Sequence, residues 1–152
     1  MRVLAFCKRL FIILYQKGGW HMATLKYSRQ REAIKEFLAG TKEHPTADTV
    51  YMHVREEFPR ISLGTVYRNL NLLADIGEIT KITTPDGGDR FDAVTNPHYH
   101  VICTSCGRVI DLEMEPLDSI DKLAEKCFDG CIDHHTALFY GTCRDCMKKN
   151  TK

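Results

Sequence analysis

The chain has no apolar run approaching the ~18 residues of a membrane span, no internal repeat, no low-complexity tract and no surplus of charge. Its 152 residues carry 21 Lys and Arg against 20 Asp and Glu, a formal net charge of +1. These absences argue against a helical membrane protein, a solenoid and a polycation that binds nucleic acid by bulk attraction. Within residues 22–92 acidic side chains slightly outnumber basic ones, so any DNA affinity there has to come from a local face. A secretion signal is missing as well. The run Leu10-Phe11-Ile12-Ile13-Leu14-Tyr15 is short, and Lys17-Gly18-Gly19-Trp20 behind it offers no small-residue cleavage site. Residues 1–21 read as a leader, an artefactual or alternative start, with the patterned chain opening at Met22. The competing reading is a short N-terminal helix packed on the first domain.

Cysteine, by contrast, is plentiful. Seven in this length, an odd number with no secretion signal, point to metal ligation in a reducing, cytoplasmic compartment rather than to a disulfide framework. The length allows one medium domain or two small ones, and a small domain gains stability from a metal or a dimer partner.

Three helices open the patterned region. Ser28 is placed to cap the first, which turns Ala33, Ile34, Phe37 and Leu38 to one face and stops at Gly40. Thr46 caps the second, with Val50, Tyr51, Val54 and Phe58 at helical spacing before Pro59. Ser62 caps the third, with Val66, Leu70 and Leu73 inward, Gly77 at its end, and Thr65, Tyr67, Arg68, Asn69 and Asn71 outward. Strands over 79–83 and 90–93 follow, joined by the turn Pro85-Asp86-Gly87-Gly88. Three short helices and a hairpin predict a winged helix-turn-helix over 22–94, whose third helix enters the major groove. Exposed Tyr, Arg and Asn suit phosphates and base edges; a merely solvated helix face is the plain alternative.

Thr95-Asn96-Pro97 reads as a hinge. Beyond it, residues 98–152 show strands over 98–103 and 108–112. A helix opened by Pro116 then carries Leu117, Ile120, Leu123, Ala124 and Cys127, and a long strand runs over 132–142. This second, dimerisation unit has a thin core that a second copy would complete. The fold class expected is α+β.

Cys103-x-x-Cys106 and Cys143-x-x-Cys146 are the strongest signal. Two such knuckles present four thiolates to a structural Zn2+, with no position left for a catalytic water. A second constellation is looser. His98 and His100 share one side of a strand, Asp92 lies six residues before His98, Asp111 sits on the neighbouring strand, and His44 opens the second helix. Three imidazoles and two carboxylates suit Fe2+ or Mn2+, although a lone H-x-H is more commonly plain surface or core. Cys127 and Cys131 read as buried small hydrophobes in preference to a redox pair. His134 and His135 alternate across the last strand and have no assigned role.

In order along the chain, His44-Pro45-Thr46-Ala47-Asp48, Gly64-Thr65-Val66-Tyr67-Arg68-Asn69-Leu70, Arg90-Phe91-Asp92, His98-x-His100-x-x-Cys103-x-x-Cys106-Gly107 and Tyr140-Gly141-x-Cys143-x-x-Cys146 resemble the ferric uptake regulator (Fur) family. The resemblance implies a homodimeric repressor, not an enzyme, with a winged-helix domain, a dimerisation domain and a four-cysteine zinc site. It further implies a regulatory metal held by His44, Asp92, His98, His100 and Asp111, and recognition-helix roles for Tyr67 and Arg68 on a palindromic operator. Within the family the chain resembles the peroxide-responsive type. Asp92 and Asp111 stand where iron sensors typically carry glutamates, and Pro97, Tyr99 and Thr142 stand where iron sensors often build a further site. That type implies peroxide reduction at bound iron and oxidation of His44 or His100. One departure is Tyr27-Ser28-Arg29-Gln30-Arg31, where relatives usually read Thr-Pro-Gln-Arg behind a longer N-terminal helix. The alternatives are an iron-sensing repressor, a zinc-uptake regulator and, from another class, a mononuclear metalloenzyme using the same His and Asp set.

Overall fold

The computed structural model describes residues 26–150 apart from Asp86; the expected leader, 1–21, lies outside the described residues. Ser28–Pro116 together with the chain from Ala137 onward forms one compact unit, and Leu117–Thr136 belongs to another.

In the larger unit, α1 (Arg29–Ala39), α2 (Ala47–Glu57) and α3 (Leu63–Asp75) begin at the hydroxyl caps expected. The oxygens of Ser28, Thr46 and Ser62 accept from the N–H groups of Arg31, Thr49 and Thr65, each such cap contributing about 1 kcal/mol. The third helix stops through paired C-terminal bonds, Glu78 N–H to the Leu73 carbonyl and Gly77 N–H to the Ala74 carbonyl. Gly77 takes the left-handed conformation this closure needs, at φ 73°. Ile34, Leu38, Val50, Val54, Val66, Leu70 and Leu73 form the core with Ile79 and Phe91, and Ala33, Phe37, Tyr51 and Phe58 pack around them.

Strands β1 (Thr80–Thr83) and β2 (Asp89–Asp92) pair antiparallel as the wing, with Gly87 at φ 80° in the turn between them. A three-stranded sheet follows in the order β4-β3-β5. Its members are β3 (Tyr99–Cys103), β4 (Val109–Leu112) and β5 (Leu138–Gly141). β4 is antiparallel to β3, and β5 is parallel to it. A small second core of Ile82, Ile102 and Val109, with Leu138 against it, joins wing to sheet.

The smaller unit holds α4 (Asp118–Glu125), which buries none of its residues. Leu117, Ile120 and Leu123 are exposed. Their stripe is the one expected, without a core of its own beneath it.

Three expectations need correction. The long strand over 132–142 is only the four residues of β5, because the ladder with β3 runs from His100–Leu138 to Cys103–Gly141 and gives earlier residues no partner. His134 and His135 therefore do not alternate across a strand; His135 turns its Nδ1 to Asp121 Oδ1 at 2.7 Å. Cys127 is exposed and Cys131 half-buried, so neither is a buried small hydrophobe: this stretch has too little core to enclose them. One element went unread, the short helix α5 (Arg144–Asn150). It begins inside the last cysteine knuckle, where Met147 N–H donates to the Cys143 carbonyl, and it is too short to show an apolar period.

Candidate metal centres

The first cluster is built by β3, β5 and the turns that follow each. Cys103 ends β3, and its N–H donates to the Arg108 carbonyl while its carbonyl accepts from Gly107 N–H. Gly107 sits at φ 70°, a conformation a side chain would resist. Parallel pairing of β3 with β5 then brings Cys143 alongside, its N–H donating to Cys103 Sγ at 3.3 Å. The sulfurs of Cys103, Cys106, Cys143 and Cys146 all lie within 4.8 Å of one another, and those of Cys106 and Cys143 are 3.9 Å apart. Tetrahedral Zn–S bonds of about 2.3 Å place sulfurs about 3.8 Å apart, so the set fits that ion.

Electrostatics agree. Backbone N–H groups, that of Cys143 foremost, bring the Cys103 thiol down to about 6, and backbone donation from Cys146 lowers Cys143 too. Cys146 is pushed up to about 12 by sharing protons with Cys143 and Cys106. Four clustered thiolates cannot all ionise without a cation among them, which a dication supplies. Arg108, which the sequence places only at the start of a strand, donates to Cys143 Sγ at 3.3 Å and pairs with Asp145.

The second cluster draws on four elements of the larger unit. His44 precedes α2 at φ 47°, an uncommon conformation for a residue with a side chain and one typical of functional positions. Asp92 ends the wing strand, His98 and His100 flank Tyr99 at the start of β3, and Asp111 lies on β4 directly opposite His100. His44 Nε2 stands 2.8 Å from Asp111 Oδ1 and 3.6 Å from Asp92 Oδ2. His98 Nε2 lies 3.0 Å and His100 Nε2 3.5 Å from Asp92 Oδ2. All five donor atoms fall within 4.8 Å of one another. Octahedral arms of about 2.1 Å put adjacent donors about 3.0 Å and opposite ones about 4.2 Å apart, which matches this spread.

The same five atoms are buried without hydrogen-bond partners. Orphaned polar atoms converging on one point are costly unless something occupies that point. Neighbouring groups aim them. His98 Nδ1–H donates to the Asn96 carbonyl at 2.8 Å, leaving Nε2 as the donor. Val94 N–H holds Asp92 Oδ1 at 2.8 Å. Burial opposes charging His44, yet Asp92 and Asp111 hold its pKa above the usual histidine value. Burial likewise opposes ionising Asp92, but His100, His44 and Val94 N–H keep it well below the ordinary carboxylate range. Asp111, with its side chain 38% exposed, marks the open side.

Of the proposed DNA-facing residues on α3, Tyr67 and Arg68 are exposed and Thr65 and Asn69 half-buried. Arg68 Nη2 donates to Thr65 Oγ1 at 3.2 Å, and Asn69 Nδ2 to the Thr65 carbonyl at 2.9 Å. The outward face is thus organised around Thr65.

The model of the ferric uptake regulator family matches residues 22–140. The chain belongs to the ferric uptake regulator family. Among its relatives, the peroxide-responsive repressor PerR of Staphylococcus saprophyticus is 40% identical over 125 residues, 82% of this chain and 84% of that one. PerR of Staphylococcus aureus is 39% identical over 127 residues, 84% and 86% of the two chains. Among solved structures, the Campylobacter jejuni peroxide stress regulator is 28% identical at a TM-score of 0.67, covering 96% of this chain and all of its own. Membership makes the chain a transcription regulator rather than an enzyme, and the α+β winged helix followed by a small sheet domain is the family's fold. No helix among the described residues is long and apolar enough to cross a membrane.

Proposed function

We propose that the chain is a cytoplasmic, homodimeric, metal-dependent repressor that binds a palindromic operator and is relieved by peroxide. The observation that carries this reading is the convergence of five otherwise unpartnered donors from four elements of the chain. Cys103, Cys106, Cys143 and Cys146 hold a structural Zn2+. His44, Asp92, His98, His100 and Asp111 hold the regulatory Fe2+ or Mn2+, a mixed imidazole and carboxylate set that suits those ions. Residues 22–94 read DNA, 98–152 pair the protomers, and 95–97 form the hinge. Thr65, Tyr67, Arg68 and Asn69 face the groove.

His44 anchors the start of α2 to the sheet through the ligand set, and the core ties α2 to α3. Withdrawing His44 frees that anchor and changes the spacing of two recognition helices, to the extent that metal prefers the anchored form. Fe2+ held by these residues would promote the reaction of H2O2 with a histidine ring, in which the O–O bond breaks, one ring C–H becomes C–OH and the second oxygen leaves as water, so that the ring is what is oxidised; Mn2+ would not promote it. The rings of His44 and His100 stand edge to face with centroids 5.0 Å apart, and either is a target for the oxygen atom. An oxygenated ring is a poorer nitrogen donor, so the anchor is lost and repression ends.

Mass spectrometry after peroxide tests this. Iron-loaded protein gains one oxygen on His44 or His100, and manganese-loaded protein does not. Failure of iron-loaded protein to gain it would leave an iron sensor, which releases DNA on iron depletion and ignores low peroxide.

A further inference from the structure

Arg90 touches the first candidate metal centre through its side chain and is joined to the second through its backbone. Arg90 stands on wing strand β2 opposite Ile82, and its Nη2 donates to the Gly107 carbonyl at 3.3 Å. That carbonyl belongs to the first cysteine knuckle, where Gly107 N–H is fastened to the Cys103 carbonyl at 2.8 Å. Its direction is therefore set by the folding of the knuckle. Through its backbone, Arg90 pairs with Thr46 in an isolated antiparallel β-bridge, and the next residue, Phe91, donates its N–H to the Pro45 carbonyl at 3.1 Å. Pro45 follows His44, and Asp92 follows Phe91. Both contribute donor atoms to the second cluster. Arg90 Nε is buried without a partner. Burying part of a charged group is unfavourable, and the bond from Nη2 to the Gly107 carbonyl gives the guanidinium a fixed acceptor at the knuckle.

We propose that Arg90 is a positioning residue that couples the two metal centres, so that filling either one favours filling the other. The inference rests on the reading that both clusters hold metal. An ordered knuckle presents the Gly107 carbonyl, the seated guanidinium holds β2, and β2 presents Asp92 and, through Phe91 and Pro45, His44. Strand β3 carries His100 and Cys103 and links the clusters as well, but Arg90 is on the wing strand and is not among the residues paired with β3, so the contribution of the arginine is separable. Because coupling of equilibria is reciprocal, it can be read at the zinc end without any DNA.

The test uses the full-length chain, wild type beside Arg90→Gln and Arg90→Lys. Zinc affinity is measured by equilibrium competition with a chelator, with and without saturating Mn2+, and Mn2+ affinity is measured on zinc-loaded protein. In the wild type, Mn2+ raises zinc affinity by about fivefold or more. In Arg90→Gln the ratio falls severalfold, to the part carried by β3, and Mn2+ binding to zinc-loaded protein weakens by the same factor, while Arg90→Lys, which keeps a donor, retains more of the ratio. If Arg90→Gln does not fold, the Lys variant carries the comparison through a reduced ratio. A purely structural arginine would lower thermal stability and leave the ratio at the wild-type value in every variant that folds. That result, or a ratio of one in the wild type, overturns the coupling while leaving the two-metal reading intact. A wild type that binds zinc but no Mn2+ overturns both.

Discussion

His44 Nε2 lies 2.8 Å from Asp111 Oδ1, although one residue opens a helix of the winged-helix region and the other lies in the sheet beyond the wing. No local rule of helix or strand brings the two together. The contact exists because the wing is fastened to both elements, to Pro45 through Phe91 and to the sheet through Ile82, Ile102 and Val109.

Replacing His44 with Ala should abolish regulatory metal binding while sparing zinc. Outer-shell changes at metal sites cost about 10–100-fold in affinity, so loss of a ligand should cost at least about 100-fold. Metal analysis should then show zinc retained and Mn2+ absent, and gel shifts should no longer respond to Mn2+. Undiminished Mn2+ binding would remove His44 from the ligand set.

Cys143→Ser should release zinc and unfold the sheet. Zinc binding supplies about 10–16 kcal/mol of apparent free energy in small zinc-dependent domains, more than the few small residues of the second core can replace. Zinc content and thermal melting report it directly. A melting temperature unchanged in the zinc-free variant would contradict a structural role.

Stability of the metal-free protein should depend on pH through His44 and Asp92, with opposite signs. His44 has a raised folded pKa, so its contribution is full below the usual histidine value of about 6.5 and is lost as pH rises through the folded value. Asp92 has a depressed folded pKa; its contribution is full above the usual carboxylate range and is lost as pH falls through the folded value. Denaturation should therefore show metal-free protein weakening on going from pH 6 to alkaline pH, with saturating Mn2+ removing that decline. A metal-free protein that instead gains stability over this range would refute the charge assignment.

On α3 the two faces should separate cleanly. Leu70→Ala, in the core, should cost about 2–5 kcal/mol of stability. Arg68→Ala, on the exposed face, should change stability by no more than about 0.5 kcal/mol. Its cost should appear in operator affinity, about 1–3 kcal/mol for a lost base contact, or as a shallower salt dependence if it touches phosphate. Denaturant melts and DNA titrations at two salt concentrations distinguish these outcomes. Equal operator affinity for Arg68→Ala and wild type would take Arg68 out of the interface.

Much of this was legible because the signals are local. The hydroxyl caps of Ser28, Thr46 and Ser62, the buried spacing of Val66, Leu70 and Leu73 and the paired cysteine knuckles each express a rule acting over a few residues. The strand over 132–142 was overread because strand length depends on the partner ladder, which ends at His100 opposite Leu138. Burial of Cys127 was overread because apolar spacing in α4 does not reveal whether another surface lies beneath it. Arg90 and Arg108 stand in the motif Arg90-Phe91-Asp92 and in the strand over 108–112 without a role of their own, since an arginine looks the same in sequence whether it points to water or to a carbonyl.

The order of motifs determined the family, the α+β class and the chemical type of each donor, because helix periodicity, capping and C-x-x-C spacing are short-range properties carried by the residues themselves. Only the tertiary structure decided that the donors of His44, Asp92 and Asp111 share a space less than 5 Å across with those of the H-x-H strand, and that a wing arginine reaches the cysteine knuckle. Such proximity comes from how the wing packs between helix and sheet, and non-local packing leaves no spacing in the chain from which to read it.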